Sequence, residues 1–284
     1  MSNLLTAITS IVNNISATLH LSSEGSIDNR MNQMGEALEE FVKNAFANSL
    51  NLDRRSAERR RSEVFSYQGN SNNPPDAMLR GGAAIEIKKI EKNTVRSLQL
   101  NSSYPKNKLY ADNPRISQRC VNCEDWDEKD MLYVVGHVDK DTKKLQSLYF
   151  VYGDIYCDDK SVYERVENKI KESLESLKNV ELAPTNELGR INRVDHLGIT
   201  DLRIRGMWLL ISPYIHYDYL VDYKEGNNFK LVAIIPEDKY LEFENREEFE
   251  NFSVNNGIDI VDEELPDPQN PSELIDTKVI KYII

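Results

Sequence analysis

Pro75-Asp76-Ala77-Met78-Leu79-Arg80-Gly81-Gly82-Ala83-Ala84-Ile85-Glu86-Ile87-Lys88-Lys89 is the stretch on which the fold turns. Two short apolar runs separated by Gly81-Gly82 predict a hairpin, and a hairpin brings the carboxylate of Asp76 to the side of Glu86 and Lys88. In the second strand Ala84, Glu86 and Lys88 fall on one face and Ile85 and Ile87 on the other. A carboxylate and an ammonium on one face of an apolar strand are costly near a core unless a counter-charge or a chemical task requires them. The task that fits is holding a hard divalent cation such as Mg2+, which takes oxygen ligands. Asp76, Glu86 and the Ile87 carbonyl are the candidate donors, with phosphate and water filling the remaining positions. A metal held this way acidifies a bound water and neutralises charge building on a phosphate, while Lys88 orients that water or steadies the transition state. The plain alternative is a turn aspartate at 76 and an ordinary ion pair at 86 and 88, because Pro-Asp followed by Glu-x-Lys arises often by chance.

The surrounding words shift that balance. Phe65-Ser66-Tyr67-Gln68-Gly69-Asn70-Ser71-Asn72-Asn73-Pro74-Pro75-Asp76, Leu100-Asn101-Ser102-Ser103-Tyr104-Pro105-Lys106 and the block from Leu188-Gly189-Arg190 through Leu197 to Trp208 resemble the NgoPII family of type II restriction endonucleases. Asp76, Glu86 and Lys88 themselves resemble the PD-(D/E)xK nuclease core. The resemblance spans Asn29 to Trp208. It implies a restriction-endonuclease-like α/β fold, a mixed β-sheet flanked by helices, and Mg2+-dependent hydrolysis of double-stranded DNA at a short palindromic site, GGCC. It also implies service in a restriction-modification system, with a cognate DNA methyltransferase as functional partner. One active site cuts one strand and a palindrome suits a two-fold protein, so a homodimer is expected. Gly35-x-x-Leu38-Glu39 resembles the glutamate-bearing first helix of the same superfamily and adds Glu39 to the catalytic set; a solvated helix glutamate is the alternative.

Composition permits this function. The chain of 284 residues is 40% hydrophobic, enough for a sizeable core in a single domain. It holds no run of membrane-span length and no secretory leader pattern, so a cytoplasmic protein without a membrane partner is expected. Cys120, Cys123 and Cys157 leave an odd thiol, and Cys120-x-x-Cys123 has no second Cys/His pair to complete a zinc site. His20, His137, His196 and His216 are scattered. A net charge of −12 argues against a DNA partner until it is localised. Glu237 to Asp276 carries 14 Asp/Glu and 2 Lys/Arg, so the rest of the chain is neutral overall. Within that rest, Arg54, Arg55, Arg59, Arg60 and Arg61 form a basic run suited to phosphates or simply to solvent.

Working outward, Leu4, Leu5, Ile8, Ile11, Val12, Ile15 and Leu19 predict an amphipathic helix, followed by a polar link over Ser22 to Arg30. Met34, Leu38, Phe41, Val42, Ala45 and Phe46 predict a second helix. Met131–Val138 and Leu148–Tyr152 predict a strand pair joined across Asp139 to Lys144. Val162, Val166, Ile170, Leu174 and Leu177 predict a long helix ending near Pro184. Gln99, Asn101, Ser102, Ser103 and Lys106 are candidate DNA contacts, with an Asn/Ser/Pro turn as the alternative. Arg190, Arg193, Arg203 and Arg205 are the candidate base readers, because an arginine fork fits guanine O6 and N7. Their alternative is the exposed face of a strand whose other face carries Leu202 and Ile204.

The organisation expected is one restriction-endonuclease-like domain over residues 1–284. Its catalytic core runs from about 29 to 180, its recognition elements from about 186 to 236, and an acidic segment from 237 to 284. That segment is expected to end in a strand at Val279–Ile284 after a surface linker marked by Pro266, Pro268 and Pro271. The function expected is that of a type II site-specific deoxyribonuclease. The competing classes are a structure-specific repair or junction-resolving nuclease and a non-catalytic DNA-binding protein.

Overall fold

The structure is a computed structural model that describes residues 1–15, 30–70, 73–101, 103–221 and 229–284. Leu4, Leu5, Ala7, Ile8, Ile11 and Val12 bury one side of α1 (Leu4–Asn13), whose start is closed by a capping box: Asn3 accepts from the Thr6 N–H and Thr6 from the Asn3 N–H. Leu19 and the link from Ser22 to 29 lie outside the described residues. In α2 (Arg30–Phe46) Leu38, Phe41, Val42, Ala45 and Phe46 are buried at the expected spacing. The basic run forms α3 (Arg54–Val64), capped by Asp53, which accepts from the N–H groups of Arg55 at 3.0 Å and Ser56 at 3.2 Å.

The strands follow: β1 (Phe65–Asn70), β2 (Asn73–Leu79), β3 (Ala84–Ile90), β4 (Ser97–Asn101) and β5 (Lys108–Tyr110). After the short α4 (Gln118–Val121) come β6 (Glu128–Val138), β7 (Leu145–Tyr152), α5 (Lys160–Glu175), β8 (Glu181–Leu182), β9 (Gly189–Asn192), β10 (Leu202–Ile204) and β11 (Met207–Ile211). Then α6 (Pro213–His216), β12 (Lys230–Pro236), α7 (Glu237–Leu241), α8 (Arg246–Asn256), β13 (Ile258–Pro266) and β14 (Leu274–Ile283) complete the chain. Among the described residues a nine-stranded sheet runs β1-β2-β3-β6-β7-β12-β14-β13, with β5 beside β6. It is mixed: β3–β6 and β7–β12 are parallel, and the other pairs along it are antiparallel. Two small sheets, β10-β9-β8 and β11-β4, stand apart from it.

Period-two alternation sorts the central strands onto two faces. On one, Gly136 of β6 admits α2, since a Cβ there would stand 2.7 Å from the Leu38 methyls, and Phe46 of α2 meets Phe150 edge-on at 6.3 Å. On the other, Tyr214 of α6 packs on Tyr149 at 4.3 Å and donates to the Val135 carbonyl at 3.2 Å. Glu86 and Lys88 pair in register with Tyr133 and Val135 of β6, which places them on the face opposite α2.

Three expectations need correction. The long helix ends sooner than expected, at Glu175 rather than near Pro184, and of the residues that mark it Val166, Ile170 and Leu177 are exposed while the buried residue of α5 is Glu167. The recognition stretch expected over 186–236 divides, because Leu231 to Pro236 in β12 is buried between β7 and β14 in the middle of the large sheet. The acidic segment is no tail. It supplies α7, α8 and the β13–β14 hairpin, and the proline stretch after Leu265 forms the turn of that hairpin.

Candidate active site

The hairpin expected at Gly81-Gly82 is formed, with Ala77 opposite Ile85 and Met78 opposite Ala84. One step further along the ladder, Asp76 reaches β3, where its Oδ2 accepts from the Ile87 N–H at 2.6 Å. Gly69 makes this possible: β1 crosses β2 so closely there that a Cβ would overlap the Pro75 carbonyl oxygen. Glu86 and Lys88 share the expected face and form an ion pair of 2.6 Å, both largely buried. Ile87 enters the site through its N–H while its side chain lies in the core.

Confinement dominates the electrostatics. Burial, and then the charge of Glu86, raise the Asp76 carboxyl to about 7; Lys88 and the Ile87 N–H pull in the opposite direction. Burial works against the Lys88 ammonium too, yet Glu86 and Asp76 outweigh it and hold Lys88 well above the usual lysine range. Glu39 of α2 acts on both groups by its charge, and its own partner is Lys43 at 3.4 Å.

A cavity of about 160 Å³ opens on Asp76, Glu86 and Lys88, and Gln99, Asn101, Ser103 and Lys106 line its other side. Gln99 and Asn101 are exposed on β4, which pairs with β11 so that Met207 faces Asn101 and Leu209 faces Gln99. Ser102 lies outside the described residues. Lys106 is not the surface group expected: it is 6% exposed and sits inside the cavity wall. A larger cavity of about 620 Å³ lies at the other end of the hairpin, against Gly81, Glu124, Trp126 and Glu244, away from the convergent carboxylates.

The four candidate readers are exposed, and each is engaged by a carboxylate. Arg203 and Arg205 converge on Glu187, with Nε–O distances of 3.0 and 2.6 Å, and hold it below the usual carboxylate range. Arg190 pairs with Asp201 at 2.7 Å and Arg193 with Glu181 at 2.6 Å. The alternative of one strand from Leu202 to Met207 is not formed: β10 ends at Ile204, and after Arg205 and Gly206 the chain joins β4 as β11.

The sequence reading missed how this block is tied to the cavity. Glu167, buried on α5, receives two hydrogen bonds from Arg115 at 2.8 and 2.9 Å and one from the Trp208 indole at 3.4 Å. Tyr104, beside the cavity, stacks on Tyr163 of α5 and donates to Glu164 at 2.9 Å. Glu164 and Glu167 are thus the α5 side chains that tie the helix to Tyr104, Arg115 and Trp208.

The family model described as NgoPII restriction endonuclease matches residues 2–266. The chain belongs to the NgoPII restriction endonuclease family. It is 42% identical over 280 residues to the type II restriction enzyme NgoPII of Neisseria gonorrhoeae, with 99% of each chain covered. No solved structure matches. Membership makes the chain a type II site-specific endonuclease, and the large mixed sheet flanked by helices agrees with a restriction-endonuclease-like fold. Restriction enzymes act on double-stranded DNA, and enzymes of this type generally use divalent metal ions. Among the described residues no helix is long and apolar enough to cross a membrane.

Proposed function

We propose that the chain hydrolyses duplex DNA at GGCC with Mg2+, from a PD-(D/E)xK centre made of Asp76, Glu86 and Lys88 with Glu39 behind it. The observation that carries this reading is the convergence of Asp76 and Glu86 in one cavity, where burial and then the charge of Glu86 raise the Asp76 carboxyl to about 7. A site that makes its own carboxylate hard to ionise is completed by a cation. The donors fit Mg2+: carboxylate oxygens are hard ligands, and the Ile87 carbonyl is the third donor in this reading. Among the described residues no group of three His, Cys, Asp or Glu side chains is arranged around one metal position, so phosphate and water oxygens complete the shell. When bound, the metal acidifies a water and draws charge from the phosphate. Lys88 keeps its proton, is aimed by Glu86, and orients the attacking water. Glu39 acts through the water shell.

DNA then lies across the cavity mouth, where Gln99, Asn101 and Ser103 meet the backbone or base edges beside Lys106, and Ser102, outside the described residues, is a further contact in this reading. Arg190, Arg193, Arg203 and Arg205 exchange their carboxylate partners for DNA. The working unit is a cytoplasmic homodimer, each protomer a single restriction-endonuclease-like domain, paired in the cell with a cognate DNA methyltransferase. Family membership favours this over cleavage of branched DNA or binding without cleavage. Plasmid incubated with protein and Mg2+ is expected to yield discrete fragments ending at GGCC. Asp76→Ala, Glu86→Ala and Lys88→Ala are each expected to abolish cleavage and leave specific binding largely intact, because the metal's work is in the transition state. Wild-type cleavage by Lys88→Ala overturns the assignment.

A further inference from the structure

Lys106 is a buried lysine that, among the described residues, has no carboxylate in contact with its ammonium. Its ammonium donates to the Ser103 hydroxyl and to the Tyr104 carbonyl at 3.1 Å, both neutral. Lys129, the other buried lysine among the described residues, is answered by Glu124, and the partly buried Lys239 by Asp130 and Asp154 at 2.9 Å each. Among the described residues no carboxylate comes within ion-pair distance of Lys106, and burial pulls its ammonium down to about 8 although the charge of Glu86 opposes this. An unpaired buried cation is costly, so a fold that keeps one is holding it for something.

The backbone around it is fixed from two sides. The Lys106 N–H donates to the Tyr133 hydroxyl at 2.7 Å, and that hydroxyl donates to the Lys106 carbonyl at 3.2 Å. Behind it Gly153 lets the end of β7 press so close that a Cβ would overlap the Lys106 and Asn107 carbonyls. The ammonium is thereby held in the wall that faces Asp76, Glu86 and Lys88 across the cavity. Lys88 is already paired with Glu86, which leaves Lys106, among the described residues that line the cavity, as the cation available to an incoming anion.

We propose that Lys106 is a second catalytic lysine, whose ammonium binds a non-bridging oxygen of the phosphodiester being cut, with Ser103 as the residue that positions it. This rests on the reading of the cavity as the nuclease centre. Lys88 serves the carboxylates and the water; Lys106 serves the phosphate and stabilises the charge that grows on it during attack.

The test compares Lys106→Met and Lys106→Arg with wild type in three measurements. These are single-turnover cleavage of a duplex carrying the site with Mg2+, binding of the same duplex with Ca2+ in place of Mg2+, and thermal unfolding. Lys106→Met is expected to lose about 100-fold or more in single-turnover rate, the range for removing one donor to a developing oxyanion, and to bind DNA within about tenfold of wild type. It is expected to melt no lower than wild type, because an apolar side chain replaces an unpaired charge. Lys106→Arg, which keeps the charge, is expected to recover part of the rate. Cleavage by Lys106→Met at the wild-type rate overturns the proposal, and so does loss of rate accompanied by a lower melting midpoint, which would make Lys106 structural. If the wild-type protein cuts no DNA at all, the nuclease reading itself has failed, whatever the variants do.

Discussion

Asp76→Asn probes the confinement of the site directly. The asparagine keeps an oxygen to accept from the Ile87 N–H but cannot ionise. In the folded, metal-free protein the Asp76 carboxyl titrates at about 7, against 3.8 for the free side chain. A group raised in this way favours the folded state while protonated. Its stabilisation is complete below about pH 4 and is lost as pH climbs toward 7. At 1.36 kcal/mol per pH unit the full loss is about 4 kcal/mol at pH 8, an upper bound because Glu86 and Lys88 share the same field. Urea unfolding in EDTA should therefore show Asp76→Asn more stable than wild type by roughly 2–4 kcal/mol at pH 8, with the gap mostly closed at pH 4.5. Adding Mg2+ at pH 8 should close most of the gap. The wild type gains about 2.7 kcal/mol when Mg2+ is at 100 times its Kd, and the variant, lacking one carboxylate, gains much less. Asp76→Asn being equal to or less stable than wild type at pH 8 in EDTA would refute the account of a carboxyl held back by burial and Glu86.

Glu187→Ala should release Arg203 and Arg205 and tighten binding to random duplex a fewfold at low salt, read by fluorescence anisotropy, since exposed ion pairs of this kind are worth about 0.2–1 kcal/mol each. Arg203→Ala should weaken cognate binding about tenfold and barely change binding to random DNA; equal losses on both would make it a phosphate contact. Alanine at Arg54, Arg55, Arg59 or Arg60 should weaken both DNAs alike and flatten the salt dependence. Arg61, mostly buried against Glu40 and Asn44, should instead lower the melting temperature when replaced. Gly69→Ala should cost about 1–3 kcal/mol in a melt and abolish cleavage, by pushing the Pro75 carbonyl and with it Asp76 out of place; wild-type cleavage would show that β1 yields instead.

The parts of the fold written in local patterns were legible. The β2–β3 hairpin, the β6–β7 pair and α2 follow from alternation or helical spacing within each segment, so Asp76, Glu86 and Lys88 could be placed together before any packing was known. What escaped depends on distant partners. Glu187 reads as a loop carboxylate until the β9–β10 register brings Arg203 and Arg205 over it. Lys106 stands in a run of polar residues that reads as a surface turn, and it is buried only because Tyr133 and Gly153 arrive from other strands. The acidic segment misled most. In β13 the buried Ile258 and Leu265 are separated by Asp259, Asp262, Glu263 and Glu264, and the place of β12 beside β7 rests on pairings such as Lys230 with Ser147.

The order of strands in the large sheet also sorts its charge. The arginine helix α3 runs straight into the edge strand β1, while the opposite edge is β13, with Asp259, Asp262, Glu263 and Glu264 along it. Basic and acidic runs thus stand at opposite edges of the sheet, the kind of asymmetry that turns a protein in the field of a polyanion. The arginine edge leads, and the proposed cleavage site next to it on β2 and β3 arrives first. The acidic edge trails, and its row of carboxylates repels both DNA and any strand that would extend the sheet from that side.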